Sequence, residues 1–454
     1  MLISFKVSNW KSFKEPVSLS MNASREKQHS NHIQYLPEYK MNVLPVSVVF
    51  GANAAGKSNL VKAIEFARNQ IISSNFDDFE NQKIDQFRLD PACLKKDSSF
   101  EFLFTINDVL FHYAFSLKND GSVSYEILGR ASGKKIKVMF ERFADGKIDF
   151  GDSIPENMRI VLNSVMSKKL ILSYVAILKS EHLEELKLIY SWFRFNLIIL
   201  TPASRLMRFT QRFMPTDKLS TVLHKLDTSI TKIDFNSITL REVSNIFSEN
   251  DLSQITNELN SGIENLLITG PNDDFYKFEM QKNTLKCSKM ISYHKGANGK
   301  QIAFKISENS DGTRRCLHLF PAFNALVSPS SNSCYIIDEL DRSLHTNLVK
   351  QLLASFLETR CQDTRSQLIL TCHDVEQMDQ NVLRRDEIWI AERDDESQAT
   401  KLASLNEFRL DNDKKIRKDR TTIPQLYTDG YLGGVPRIDS YANLFSYACG
   451  EKNV

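Results

Sequence analysis

Seven cysteines are scattered along the chain without a Cys-x-x-Cys pair, so the spacing that zinc sites and disulfide frameworks require is missing. A reducing, cytoplasmic setting is expected. Long apolar runs are missing too: the nearest approach, Phe193 to Leu200, falls far short of the ~18 residues of a membrane helix. Lys6 interrupts the alternating segment Met1 to Asn9, which therefore has no signal-peptide core. No membrane partner is expected. Neither charge is in excess, with a net charge of +2, so there is no global electrostatic case for nucleic acid, although a local basic face stays open. Heptads are not sustained over enough repeats for a long coiled-coil arm. What remains is ordinary globular composition, 42% hydrophobic and 25% charged over 454 residues, with length for two or three domains.

Gly51 to Ser58 reads Gly-Ala-Asn-Ala-Ala-Gly-Lys-Ser and fits the phosphate-binding pattern G-x-x-x-x-G-K-[ST] at every required position. Before it, Val43 to Phe50 is an apolar, β-branched run suited to a buried parallel strand. After it, Asn59 to Gln70 reads as a helix. In that order, backbone N–H groups of the loop converge on phosphates, Lys57 adds a point charge and the Ser58 hydroxyl ligates Mg²⁺. Asn53, Gly56, Lys57, Ser58 and Asn59 are the expected nucleotide contacts on this side.

Along the chain, Leu2 to Val7 and Val17 to Met21 alternate as an antiparallel pair beside the nucleotide site. Five strand-like runs between Phe100 and Phe150 follow, punctuated by Asn119-Asp120-Gly121 and Ala144-Asp145-Gly146; this pattern predicts an antiparallel meander. From Asn157 to Tyr190 and from Asp217 to Asn260, apolar residues recur at three- and four-residue spacing, which predicts a helical subdomain or packing helices of the same domain. Alternation returns at Phe275. The expected division is an N-terminal lobe over 1–155, a helical segment over 156–265, a C-terminal lobe over 266–400 and a tail over 401–454. The tail is basic from Arg409 to Arg420 and suits docking to a protein or nucleic acid.

Asn332 to Glu339 is an apolar strand ending in two carboxylates. Asp338 is placed to complete the Mg²⁺ shell and Glu339 to orient or deprotonate the attacking water. Leu340 to His345, with Asp341, resembles the loop that crosses the dimer in ABC-type ATPases. Gln367 to Cys372 is a further apolar strand, and His373 follows it where ABC-type enzymes place the switch histidine. Asp338 lies 280 residues after Ser58 (338 − 58), so an inserted lobe separates the halves of the site, as in ABC and SMC-like heads. Upstream of Asp338, Glu308 to Arg315 resembles an ABC signature opening a helix. Ser310, Gly312 and Thr313 would meet the γ-phosphate held by a second protomer. Thr231-Lys232-Ile233-Asp234 matches a loose guanine-reading pattern, but no Asp-x-x-Gly lies between Ser58 and Thr231, and ATP is the expected nucleotide.

Taken together, Val7 to Phe13, Phe50 to Asn59, Ser310 to Arg315, Ile337 to His345, Thr371 to Asp374 and Leu383 to Trp389 resemble the bacterial ABC-type AAA-like ATPases of phage-defence loci, the RloA/AbiL-like group related to OLD-family and SMC-type ATPases. Trp10, where relatives usually carry Phe, is a mild departure. The resemblance implies an α/β P-loop head of mixed sheet plus antiparallel meander with an inserted helical subdomain. It also implies ATP-driven pairing into homodimers or higher homo-oligomers, and a separately encoded nuclease or toxin as effector. A Mg²⁺-ligating glutamine is expected in such heads, with Gln86 as the choice among neighbours such as Gln70 and Gln82. Two other roles fit the same residues: a DNA-repair or DNA-structuring ATPase, and a regulatory scaffold that holds ATP with little turnover.

Overall fold

The computed structural model describes residues 1–73, 83–133, 135–202, 206–207, 216–226, 228–260, 264–329, 331–360, 363–408 and 423–435. The basic run from Arg409 to Arg420, residues 436–454 and Gln82 lie outside the described residues.

Six strands form the central sheet: β1 (Val46–Phe50), β2 (Leu197–Leu200), β3 (Cys334–Ile337), β4 (Gln367–Thr371), β5 (Ile388–Arg393) and β6 (Thr400–Ser404). Their spatial order is β2-β3-β4-β1-β5-β6. The first five run parallel, and β6 closes one edge antiparallel to β5. Every residue of β1, β3 and β4 is buried, because a parallel sheet is covered on both faces and its strands must be apolar throughout. Successive side chains still point to opposite faces. Val49, Ile336 and Ile369 join a core completed by helix α1 (Lys57–Ser73) and an N-terminal antiparallel sheet. Val46, Val48, Phe50, Ile337 and Leu370 join a second core with helices α2 (Asp311–Leu326) and α3 (Thr346–Thr359). The result is a layered α/β fold in which the phosphate loop emerges from the carboxyl end of β1.

The N-terminal sheet has seven strands: Ile148–Phe150, Lys135–Arg142, Val123–Ser132, Val109–Leu117, Ser98–Ile106, Leu2–Ser8 and Val17–Ser20, in that spatial order. The expected N-terminal pair and the expected meander are thus one sheet, joined where Phe5 stands opposite Phe102. A third, antiparallel sheet carries Asn265–Thr269, Phe275–Gln281, Thr284–Lys295 and Ile230–Ile238, with Gln301–Lys305 added to the long third strand.

Between residues 156 and 265 the helical expectation holds only in part. Helices form at Glu156–Leu162, Ile171–Val175, Glu184–Ser191, Thr216–Lys225 and Glu249–Asn260. Leu197–Leu200, however, belongs to the central sheet as β2. Ile230–Ile238 is a strand whose register slips between Ile230 and Lys232. Its buried Ile230 and Ile233 therefore stand three apart, the spacing of a helix face. Thr231 to Asp234 lies on that strand rather than on a helix, and Lys232 is spent on Asp234 at 2.6 Å. Among the described residues no helix is long and apolar enough to cross a membrane.

Candidate functional site

Two glycines let the loop after β1 fold tightly against the sheet edge. Gly51 has φ +151°, and a Cβ there would stand 2.3 Å from the Ala391 carbonyl oxygen. Gly56 has φ +101°, and its Cβ would stand 2.1 Å from Thr400 Oγ1. Only glycine fits either place. Thr400 Oγ1 donates to the Ala55 carbonyl at 2.9 Å and shares a hydrogen bond of 2.8 Å with Ser12 Oγ, and Asn59 Nδ2 donates to the same Ser12 Oγ at 2.8 Å. The loop is thereby pinned from β6 and from the turn after the first strand of the chain.

Lys57 Nζ is folded back onto the carbonyls of Gly51 and Ala52, at 2.7 and 3.0 Å. Burial pulls its pKa below the usual lysine value, against the attraction of Asp341 and Asp338. An arriving phosphate offers that ammonium a better partner than two neutral carbonyls.

Beside the loop, Asp338 follows β3 and is 3% exposed. Ser58 Oγ donates to its Oδ1 at 3.2 Å, and Thr371 Oγ1 donates to the same oxygen at 2.6 Å. Thr371 also accepts the Glu339 N–H at 2.8 Å. Glu339 itself has φ +50°, a left-handed conformation that non-glycine residues adopt rarely and that needs such holding. From the other side, Arg315 Nη2 donates to the carbonyls of Glu339 and Asp338, at 2.8 and 3.3 Å. Asp341 Oδ2 accepts the backbone N–H groups of His373 and Asp374, both at 2.9 Å, so this side chain shapes the loop after β4.

A cavity of about 480 Å³ opens over these groups. Asn53, Gly56, Lys57, Ser58, Asn59, Glu339 and His373 line it, and it runs on to Lys11, Phe87, Leu89, Arg393 and Gln398. Its lining thus combines apolar and cationic side chains with the groups of the phosphate loop. Ser58 and Asp338 converge as a hydroxyl and a carboxylate on one point, the hard-oxygen pair that suits Mg²⁺ when phosphates and water supply its remaining ligands. Among the described residues no cluster of three or more His, Cys, Asp or Glu forms a metal cage.

Gln86 does not join this arrangement. It is buried, its amide nitrogen donates to the Lys96 carbonyl, and it is absent from the cavity lining. Its neighbours are tied to the N-terminal turn, through Asp85 to Lys11 and through Phe87 to Asn9. The signature residues also lie apart. Ser310 caps α2 by accepting the Thr313 N–H at 3.3 Å, and Gly312 packs where a Cβ would stand 2.8 Å from the Ser343 carbonyl. Their neighbours Asp311, Arg314 and Arg315 face a second cavity of about 190 Å³ together with Arg342 and Ser343.

Thr371, Arg315 and Thr400 are the groups that sequence reasoning missed. Thr371 and Arg315 stood within recognised stations without a role of their own, whereas Thr400 lay outside any station and acts in part on a backbone carbonyl.

No curated protein matches the sequence. Among solved structures, the SMC head domain from Thermotoga maritima is similar at 13% identity and a TM-score of 0.34, covering 89% of this chain and 98% of that one. An SmcHead bound to the C-winged helix domain of ScpA is similar at 12% identity and a TM-score of 0.36, covering 89% and 97%. The family described as "AAA domain, putative AbiEii toxin, Type IV TA system" matches residues 46–379, a span that runs from β1 and the phosphate loop through Asp338 to His373. The chain belongs to that family of AAA domains.

Proposed function

We propose that this chain binds and hydrolyses ATP with Mg²⁺, and that two copies close around the nucleotides to gate an effector in anti-phage defence within the cytoplasm. The observation that carries it is the convergence of Lys57, Ser58, Glu339 and His373 on one cavity at the mouth of the phosphate loop, with Asp338 held against Ser58 beside it. Lys57 leaves its carbonyl partners to neutralise phosphate charge. Ser58 and Asp338 would hold the Mg²⁺, which would supply neutralisation of phosphate charge. Glu339 accepts the proton of the attacking water, and His373 contacts the γ-phosphate.

The position of the signature turn supports pairing. Ser310, Gly312 and Thr313 do not line the cavity of their own phosphate loop, so in this reading they would meet a γ-phosphate across an interface between two copies. The effector is a separately encoded nuclease or toxin, a reading supported by the family's description, which names a toxin and a type IV toxin–antitoxin system. The lobes over 1–155 and 266–400 would form the ATPase body, with 156–265 between them and the segment 401–454 available to a protein or nucleic acid.

Glu339→Gln tests the assignment. The variant is expected to bind ATP, to pair in an ATP-dependent way by light scattering, and to release phosphate at least about 100-fold more slowly. Hydrolysis at the wild-type rate would remove Glu339 from this role.

A further inference from the structure

The signature helix and the acidic turn after β3 belong to different cavities, yet one side chain joins them. Arg315 lies on α2 little more than one turn beyond the capping Ser310. Its Nη2 reaches the Glu339 carbonyl at 2.8 Å and the Asp338 carbonyl at 3.3 Å. Glu339 lines the first cavity, whereas Arg315 lines the second. The peptide between the two acids therefore forms part of a wall between the cavities, and Arg315 holds it from the signature side.

Glu339 needs that hold. Its φ of +50° is sparsely populated by side chains with a Cβ, and it persists only where neighbours over-determine it. Thr371 restrains the Glu339 N–H and Arg315 the Glu339 carbonyl, so the residue is gripped at both ends of its backbone. The start of α2 is itself braced: Arg314 Nη1 donates to Asp273 at 2.8 Å, and Gly312 abuts the Ser343 carbonyl. Arg315 stands in the second turn of α2, so its guanidinium is a short arm between the signature turn and the Glu339 peptide.

We propose that Arg315 is a positioning residue, which transmits engagement of the signature turn by a second copy's nucleotide to the Glu339 carboxylate of its own chain. This rests on Glu339 being the base. It predicts that one copy's phosphate chemistry sets the geometry of its partner's base, so that the two sites fire in concert rather than independently.

The test uses the full chain with Arg315→Met, which removes the donors, and Arg315→Lys, which keeps the charge on a shorter, rotatable stem. For Arg315→Met, kcat is expected to fall at least about tenfold with the KM for ATP within about threefold. ATP-dependent pairing by light scattering should persist, and Arg315→Lys should recover part of the turnover. A kcat for Arg315→Met within about twofold of wild type overturns the proposal. So does a loss of turnover that merely follows loss of pairing or a raised KM. Should Arg315→Met fail to fold, wild-type turnover by Arg315→Lys overturns it, and reduced kcat at unchanged KM supports it. Wild-type protein as inert as Glu339→Gln would sink the ATPase assignment itself, and this inference with it, an outcome distinct from an active enzyme indifferent to Arg315.

Discussion

Thr371→Val exchanges a hydroxyl for a methyl of similar size at a position that is 1% exposed. Two bonds are lost. The first is the 2.6 Å donation to Asp338 Oδ1, a hydrogen bond to a charged group worth about 1.5–3 kcal/mol. The second leaves the Glu339 N–H without its 2.8 Å acceptor, at a cost of about 1–3 kcal/mol where water cannot replace it. Ser58 remains as a partner of Asp338, so a net destabilisation of about 3 kcal/mol is expected. Thr371→Ser keeps the hydroxyl and forfeits one methyl, about 1 kcal/mol. Urea unfolding of both variants measures the difference, and phosphate release reports on Glu339. Turnover should drop by about tenfold or more in Thr371→Val and by much less in Thr371→Ser. Equal destabilisation of the two variants would show that the methyl, not the hydroxyl, matters here. Wild-type turnover by Thr371→Val would refute the claim that Thr371 restrains the base.

Gly56→Ala forces a side chain to φ +101° and sets its Cβ 2.1 Å from Thr400 Oγ1; a loss of about 2–4 kcal/mol by urea unfolding is expected, together with weakened ATP binding. Thr400→Gly removes the clashing atoms but not the φ cost, so the double variant should be less destabilised than the two singles combined by about 1 kcal/mol or more, and strict additivity would disprove the contact. Glu387 is fully buried, and burial raises its pKa to about 8, with Asp386 adding to the shift and the Arg384 N–H opposing it. Because the folded value exceeds the unfolded one, the native state holds the extra proton. The stability this gives is present below about pH 4.5 and is lost as pH rises through about 8. His32 and His318, lowered to about 4 by burial, act in the opposite sense. The readout is therefore the difference between wild type and Glu387→Gln: the advantage of wild type should shrink between about pH 5 and pH 8, and a constant difference would place the proton elsewhere.

How much of this was readable in the residues depended on whether a feature is local. The phosphate loop is eight consecutive residues between a strand and a helix, and each required position is a constraint of the loop itself. The turn after β3 was readable for the same reason: an apolar run ends in carboxylates, and a buried parallel strand must stop where charge begins. Leu197–Leu200 showed its apolar run plainly, but its place beside β3 depends on pairing with a segment far along the chain. Ile230–Ile238 was misread because its irregular register gives a strand the spacing of a helix. Gln86 was chosen by neighbourhood in sequence; in the structure its amide nitrogen donates to the Lys96 carbonyl and it stands outside the lining of the phosphate-loop cavity.

What the residues could not show is the wall between the two cavities. Thr371 meets the Glu339 N–H across 32 positions, Arg315 meets the Glu339 carbonyl across 24, and Thr400 meets the phosphate loop across 345. In each case one partner is backbone, which has no side-chain identity for a motif to register. A pattern can state that Asp338 and Glu339 are adjacent; it cannot state that the peptide joining them is gripped from a helix on one side and a strand on the other. The conformation of Glu339 makes that grip matter, since a residue at φ +50° relaxes when its restraints are released. The geometry of the cavity is therefore set by residues chosen for the atoms they reach rather than for their place in a motif, and one of them, Arg315, belongs to the helix that on the proposed reading faces another copy's nucleotide.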